Sequence, residues 1–151
     1  MPTPDEVVIR PVGADERQAW EPLWNGYLAF YEATLAPGAS DVAWQRFHDP
    51  GEPMFLLGAY VNGKLTGIVQ YLFHRSSWTP GNYCYLQDLF VAENARGLGL
   101  GRALIEAVYD KAREASASRV YWLTHQSNAT ARVLYDKVAE NLGHIQYRKI
   151  L

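Results

Sequence analysis

Apolar residues along this chain recur at strand spacing, then at helix spacing, and the two periods alternate. Residues 6–12, "EVVIRPV", are a short β-branched run closed by Pro11, which predicts a strand. Residues 13–35 hold Trp20, Trp24, Tyr27 and Tyr31 at helical spacing, which predicts a helix with one aromatic stripe and Asp15 as its N-cap. Pro22 leaves two readings: a kink, or a start near Glu21 with Pro22 in the first turn. "SDVAWQRF" (40–47) predicts a short capped helix. "MFLLGAYV", "NGK" and "LTGIVQYLFHR" (54–75) predict a hairpin, and "GNYCYLQDLFV" (81–91) a further strand. In "LGRALIEAVYDKAREA" (100–115), Leu100, Leu104, Val108 and Ala112 share one face and Glu106, Asp110 and Arg113 another, so it is an amphipathic helix. "RVYWLT" (119–124) predicts a strand, "NATARVLYDKVAEN" (128–141) a helix, and "HIQYRKIL" (144–151) a last strand after Gly143. The order β-α-α-β-β-β-α-β-α-β implies one α/β domain over residues 1–151 with a mixed sheet.

Composition narrows the function classes. At 48% hydrophobic and 20% charged, the chain has the material for a packed core. No apolar run can span a bilayer, and a basic-then-apolar leader is absent from the N-terminus. The single cysteine, Cys84, allows no internal disulfide, and these features together point to a cytoplasmic protein without a membrane partner. A net charge of −2 argues against a general nucleic-acid binder. The charge is uneven: residues 1–75 hold 9 acids and 5 bases, residues 76–151 hold 7 acids and 9 bases. An anionic ligand therefore suits the second half and a cationic one the first.

The densest chemistry lies in "ARGLGLGRAL" (95–104). Gly97, Gly99 and Gly101 alternate, with Arg96 and Arg102 at either side, just before a predicted helix. Glycines add unfolded-state entropy, so three together demand a reason. A helix N-terminus offers unpaired N–H groups and partial positive charge, glycines let a ligand approach the backbone, and arginines add charge-assisted contacts. This is a phosphate cradle. It is not a Walker loop, because Arg102-Ala103 stands where Lys-Ser/Thr is required. It is not a dinucleotide fingerprint either, because the spacing is G-x-G-x-G and the next strand ends in Thr124-His125.

With that loop in place the sequence resembles the GNAT superfamily of N-acetyltransferases. "RGLGLG" matches the family's acetyl-CoA motif, Arg/Gln-x-x-Gly-x-Gly/Ala. Asn128 opening a helix, with Leu134 and Tyr135 further on, matches a second motif. "YLQDLFV" is similar to the fourth strand of the diamine and polyamine acetyltransferases and of the yeast histone and polyamine acetyltransferase subgroup.

The resemblance implies a mixed, mostly antiparallel twisted sheet flanked by helices, and a role for each matching residue. Backbone amides of Arg96, Gly97, Leu98, Gly99, Leu100, Gly101 and Arg102 would hold the pyrophosphate of acetyl-CoA. The main chain of Leu89, Phe90 and Val91 would pair with the pantetheine arm where the strands at 83–91 and 119–124 splay, often at a bulge. Asn128 and Ala131 would contact the cofactor, and Tyr135 would protonate the departing thiolate. The helix at 13–35 would border the acceptor groove with its last turn, Tyr31 and Glu32. Gln87 departs from the pattern, because the polyamine enzymes carry Glu there. The Gly-Phe that usually follows the last helix is also displaced, by an extended turn before Gly143-His144.

The chemistry sharpens the Gln87 problem. Neutralising an amine of pKa near 10.4 at pH 7 costs roughly 4.6 kcal/mol, so a base or a desolvated site must help. Gln has no useful basicity. Strict alternation puts Asp88 on the opposite sheet face, which leaves solvent or a water held by Gln87, Asp88 acting from the wrong face, or an acceptor of low pKa. Gln87 and His125 are candidate substrate contacts, though His125 equally suits a solvated loop. Cys84 reads as a packed strand residue. His48, His74, His125 and His144 show no metal-ligand spacing, so no metal is expected. The expected activity is direct acetyl transfer, in a ternary complex, to a primary amine of a polyamine, diamine or amino acid. Transfer to a protein lysine or N-terminus, and a non-catalytic acyl-CoA sensor, are the alternatives. A homodimer is expected from the resemblance.

Overall fold

Five strands form one sheet in the order β1-β2-β3-β4-β5, and helices cover both of its faces. The computed structural model describes residues 5–151. The elements are β1 (Val7–Pro11), α1 (Arg17–Phe30), α2 (Ala39–Phe47), β2 (Met54–Val61), β3 (Lys64–His74), β4 (Tyr83–Val91), a single 3₁₀ turn (Glu93–Ala95), α3 (Leu100–Glu114), β5 (Arg119–Tyr121) and α4 (Ala129–Val138). Neighbouring strands are antiparallel except β4 and β5, which are parallel and are joined through α3.

The periodicities explain the layers. On one face the stripe Leu100, Leu104, Val108 and Ala112 of α3 is buried against Leu57, Ala59, Val69 and Tyr71, with Leu134 and Tyr135 of α4 packed at its edge. On the other face Trp20, Leu23 and Trp24 of α1 and Trp44 of α2 pack on Leu56, Tyr60, Leu65 and Ile68. Trp20 is fully buried, and its ring stacks on Trp24 with centroids 5.8 Å apart. The helix α1 can approach β4 closely because Gly26 has no side chain. A Cβ there would lie 2.8 Å from the Phe90 ring.

Several boundaries differ from expectation. α1 runs through Pro22 from Arg17, so it does not start at Glu21. Its N-cap is Glu16 rather than Asp15, and no side chain caps it. α2 begins after Gly38, whose φ of 82° turns the chain, and Ser40 instead accepts a hydrogen bond from Trp24 Nε1 at 2.9 Å. β5 stops at Tyr121, because β4 and β5 diverge there. Residues 144–151, expected as a final strand, pair with nothing, and all of 139–151 is exposed. A strand pattern becomes a strand only when it pairs with an edge, and this segment joins none among the described residues.

Candidate active site

The site begins with one extra residue in β4. Gln70 of β3 lies opposite Asp88, and the next residue, Tyr71, lies opposite Leu86, so Gln87 has no partner and forms a bulge. The bulge changes the parity of everything after it. Cys84 and Leu86 face α3, and so do Leu89 and Val91, while Phe90 joins the α1 side. Asp88 therefore faces α1, where its carboxylate accepts a hydrogen bond from Tyr27. This overturns the expectation from strict alternation, which put Asp88 on the wrong face. Gln87 itself is exposed.

The Asp88 carboxylate is tied into the core. Gln70, only 3% exposed, donates from Nε2 to Asp88 Oδ2 at 2.8 Å, and its Oε1 accepts from Trp20 Nε1 at 2.8 Å. Burial raises the Asp88 pKa above its usual value, against the lowering pull of the hydrogen bonds from Tyr27 and Gln70. The pKa of Tyr31 and of Tyr85 is raised by burial first and then by the charge of Asp88.

The end of α1 opens onto a cleft of about 360 Å³, lined by Phe30, Tyr31, Glu32, His125, Ser127 and Asn128. The aromatic stripe thus grades from core to cleft: Trp20 and Trp24 are buried, Tyr27 is half-buried, and Tyr31 lies at the surface with its ring 6.3 Å from that of His125. Helix α1 closes with two bonds, Ala33 N–H to Leu28 O (2.9 Å) and Glu32 N–H to Ala29 O (3.1 Å). That pattern wants glycine at the residue with left-handed backbone. Here the residue is Glu32, at φ 51°. An exposed carboxylate is held at the cleft in a backbone conformation that costs energy.

Across the cleft, Asn128 precedes α4, and its Nδ2 donates to Thr124 Oγ1 at 3.2 Å. Ala131 is half-buried. Tyr135 is half-buried with its ring edge on Trp122, centroids 5.4 Å apart. Burial raises the Tyr135 pKa, with Tyr31 adding to it. The hydroxyl stays protonated across the neutral range. Cys84 is fully buried and its thiol is pushed up to about 12 by burial, so it is a packing residue and no nucleophile.

Beside this cleft, β4 and β5 pair only from Tyr83 to Tyr85. Beyond that, Leu89, Phe90 and Val91 pair with β3 on one side and with no strand on the other. The wedge leads to the glycine loop. Gly97 and Gly99 have φ of 91° and 75°, and Gly99 is the N-cap of α3. The Ala103 N–H bonds to Gly99 O at 3.0 Å, which leaves the amides of Leu100, Gly101 and Arg102 without helical acceptors. Leu98 is exposed, whereas the Leu100 side chain is core, so only its amide is available to a ligand. A Cβ on Gly101 would touch Leu134 at 3.5 Å. Arg96 Nε donates to Val91 O at 3.2 Å, and Arg102 Nε pairs with Glu106 at 3.0 Å. Both arginine side chains are held beside the loop by these contacts.

The model of the acetyltransferase (GNAT) family matches residues 20–139, four-fifths of the chain. The chain belongs to the GNAT family. It is an acetyl-CoA-dependent N-acetyltransferase. D-amino-acid N-acetyltransferase HPA3 of Saccharomyces cerevisiae is 34% identical over 147 residues, covering 96% of this chain and 91% of that one. The uncharacterized N-acetyltransferase YhfO of Bacillus subtilis is 31% identical over 142 residues, covering 92% and 94%. The ribosomal-protein-alanine N-acetyltransferase of Brucella melitensis shares the fold, with a TM-score of 0.78 at 24% identity, covering 97% of this chain and 100% of that one.

The geometry fits the GNAT co-substrate. A Cβ added at Gly97 or Gly99 would meet nothing within 4 Å, so the loop is open on the side its side chains would take. The unpaired edge of β4 suits an extended amide-bearing arm. Among the described residues no group of three or more His, Cys, Asp or Glu side chains is placed to hold a metal ion, and no helix is long and apolar enough to cross a membrane.

Two outcomes follow from these backbone features. Gly99→Glu is expected to remove acetyl-CoA binding in calorimetry while circular dichroism shows a folded chain; unchanged affinity would refute the cradle. Glu32→Gly is expected to stabilise the protein by about 1 kcal/mol, because glycine relieves the left-handed strain. Chemical denaturation reads this as a higher midpoint, and a lower midpoint would show that Glu32 makes structural contacts.

Proposed function

We propose that this GNAT enzyme acetylates the primary amine of a small molecule, an amino acid in the first instance, by direct transfer within a ternary complex. The observation that carries the reading is the Asp88 carboxylate: the bulge turns it to the α1 side, Tyr27 and Gln70 hold it there, and it lies beside the tyrosines that lead into the acceptor cleft. The small volume of that cleft supports a small acceptor. The likeness to HPA3, whose name specifies D-amino acids, supports an amino acid. The second carboxylate, Glu32, supports a diamine or polyamine as the other acceptor class, its second cation meeting Glu32.

When bound, acetyl-CoA supplies an acyl group activated as a thioester. The chain does the rest. The amides of Gly97 to Arg102 bind the diphosphate, and the free edge of Leu89 to Val91 aligns the arm. Asn128 and Ala131 would contact the cofactor when it is bound. Asp88 takes the proton that the acceptor ammonium must lose before its nitrogen can attack. The raised pKa of Asp88 makes this carboxylate a better base than an ordinary aspartate. Tyr31, Glu32 and His125 position the acceptor. Gln87, exposed at the bulge, orients a water or the amine. The Tyr135 hydroxyl holds a proton for the leaving sulfur.

The test pairs two substitutions. Asp88→Asn is expected to lower kcat/KM by about 10²–10⁴-fold. In the wild type kcat/KM falls as pH drops through the raised Asp88 pKa, because the base becomes protonated. In Asp88→Asn that limb disappears, and the rate climbs toward the pKa of the free amine. Tyr135→Phe is expected to lower kcat by a similar factor with acetyl-CoA affinity unchanged. A panel of D- and L-amino acids and diamines, assayed by CoA release, identifies the acceptor. An Asp88→Asn enzyme within threefold of wild type, with an unaltered pH profile, would remove Asp88 from the mechanism.

A further inference from the structure

The sheet face that carries Asp88 continues beyond the cover of α1 and α2. Tyr71 and Phe73 of β3 pack toward α3, so Leu72 and His74 point to the α1 side. On β4, Tyr85 pairs with Leu72 and Tyr83 with His74; on β5, Tyr121 pairs with Tyr85 and Arg119 with Tyr83. Cys84 faces α3, so Tyr83 and Tyr85 share the α1 side. Leu72, Tyr85 and Tyr121 belong to neither hydrophobic core, and each is half-buried. The rings of Tyr85 and Tyr121 stack with centroids 5.0 Å apart and planes at 18°. This platform adjoins the base. Gln70, opposite Asp88, is two residues from Leu72, opposite Tyr85, so Asp88 and Tyr85 are neighbours about 7 Å apart along the sheet. Burial first, and then the charge of Asp88, raises the Tyr85 pKa, as befits that closeness.

The platform is held in place from β3. His74 Nδ1 lies 2.7 Å from Arg75 O, which can only accept, so Nδ1–H donates there. In the neutral ring Nε2 is then the acceptor, and the Tyr121 hydroxyl donates to it at 2.6 Å. His74 is thus a positioning residue: it engages the hydroxyl of Tyr121 and fixes the ring against Tyr85. At the far end the Arg119 guanidinium stands 4.2 Å from the centre of the Tyr83 ring, so that ring face is already taken by a cation. The platform therefore offers ring surface beside Asp88 and a positive charge beyond it, and none of its side chains is a carboxylate. A second ammonium on the acceptor meets repulsion there, whereas an aromatic ring meets other rings to pack on. We propose that the acceptor carries an aromatic ring a few bonds from its amine, as an aromatic amino acid does, and that this ring packs on Tyr85 and Tyr121 while the amine lies at Asp88. The proposal rests on Asp88 as the place where the acceptor loses its proton. The step from Asp88 to Tyr85 matches the reach of one aromatic side chain, and Arg119 lies a further step away.

The test reads kcat/KM by CoA release for phenylalanine, tyrosine, tryptophan and alanine, in both enantiomers, and for diaminobutane. The aromatic acceptors are expected to exceed alanine and diaminobutane by about tenfold or more. Tyr85→Ala and Tyr121→Ala are each expected to lower the phenylalanine-to-alanine ratio by about tenfold, through the KM of phenylalanine. His74→Ala is expected to lower the same ratio by about threefold, and His74→Gln to restore it, because the Gln carbonyl accepts from Tyr121. Phenylalanine and phenethylamine carry the ring with and without a carboxylate, and the faster of the two names the source of the amine. Asp88→Asn is expected to slow every acceptor and to leave the ratio as it is, so the base and the platform fail separately. A wild type that prefers alanine or diaminobutane would overturn the proposal. So would tyrosine variants that slow all acceptors by one factor, since that is the mark of a structural role. Should the alanine variants fail to fold, Tyr121→Leu and the wild-type preference still decide.

Discussion

One unpaired residue in β4 sets the chemistry of this enzyme. A strand shows its side chains to alternate faces, so an inserted residue exchanges the faces of everything beyond it. Without the bulge at Gln87, Asp88 would face α3 beside Leu86, and Leu89 would turn to the α1 side. With it, Asp88 meets Tyr27 and Gln70, and Phe90 fills the space beneath α1. The same stretch of β4 is where β5 turns away. A single local irregularity thus delivers the carboxylate on one face and stands at the opening of the wedge between two strands.

The carboxylate is not an isolated charge. It ends a buried chain of hydrogen bonds that starts at Trp20 Nε1 and passes through Gln70. Each member satisfies its neighbour, so removing one would leave a buried polar group unpaired, at a cost of about 1–3 kcal/mol. Gln70 is held by the core on one side and holds Asp88 on the other. The position of the base is therefore as rigid as the tryptophan cluster beneath it. Tyr27, one turn beyond Trp24 on the same helix, completes the hold from α1.

Much of this was legible in the chain. The stripe of α3, the hairpin, and the glycine loop follow from periodicity and from the chemistry of helix N-termini. The loop motif with Asn128 and Tyr135 led to the family. What alternation missed was Asp88. The clue is present in the spacing, since the positions that face α3 run 84, 86, 89, 91, and the step of three marks the insertion. A step of three is visible only once the partner strand shows which residue is left over. The strand expected at 144–151 failed for a related reason. Its pattern is that of a strand, but pairing is a property of two segments, and a sequence read alone shows only one. The cap expected at Asp15 falls instead on Glu16, and Ser40, inside α2, accepts from Trp24 Nε1.

Gly26 has a further consequence. The separation of α1 from β4 is set by a missing side chain, with the Phe90 ring filling the space where a Cβ would stand. The helix is pinned at its middle, and Tyr31 and Glu32 ride on its far end. A group added at position 26 would meet the Phe90 ring and press α1 away from β4, and the cleft wall on the end of α1 belongs to the same helix. The place of that wall thus depends on a residue outside the cleft's own lining.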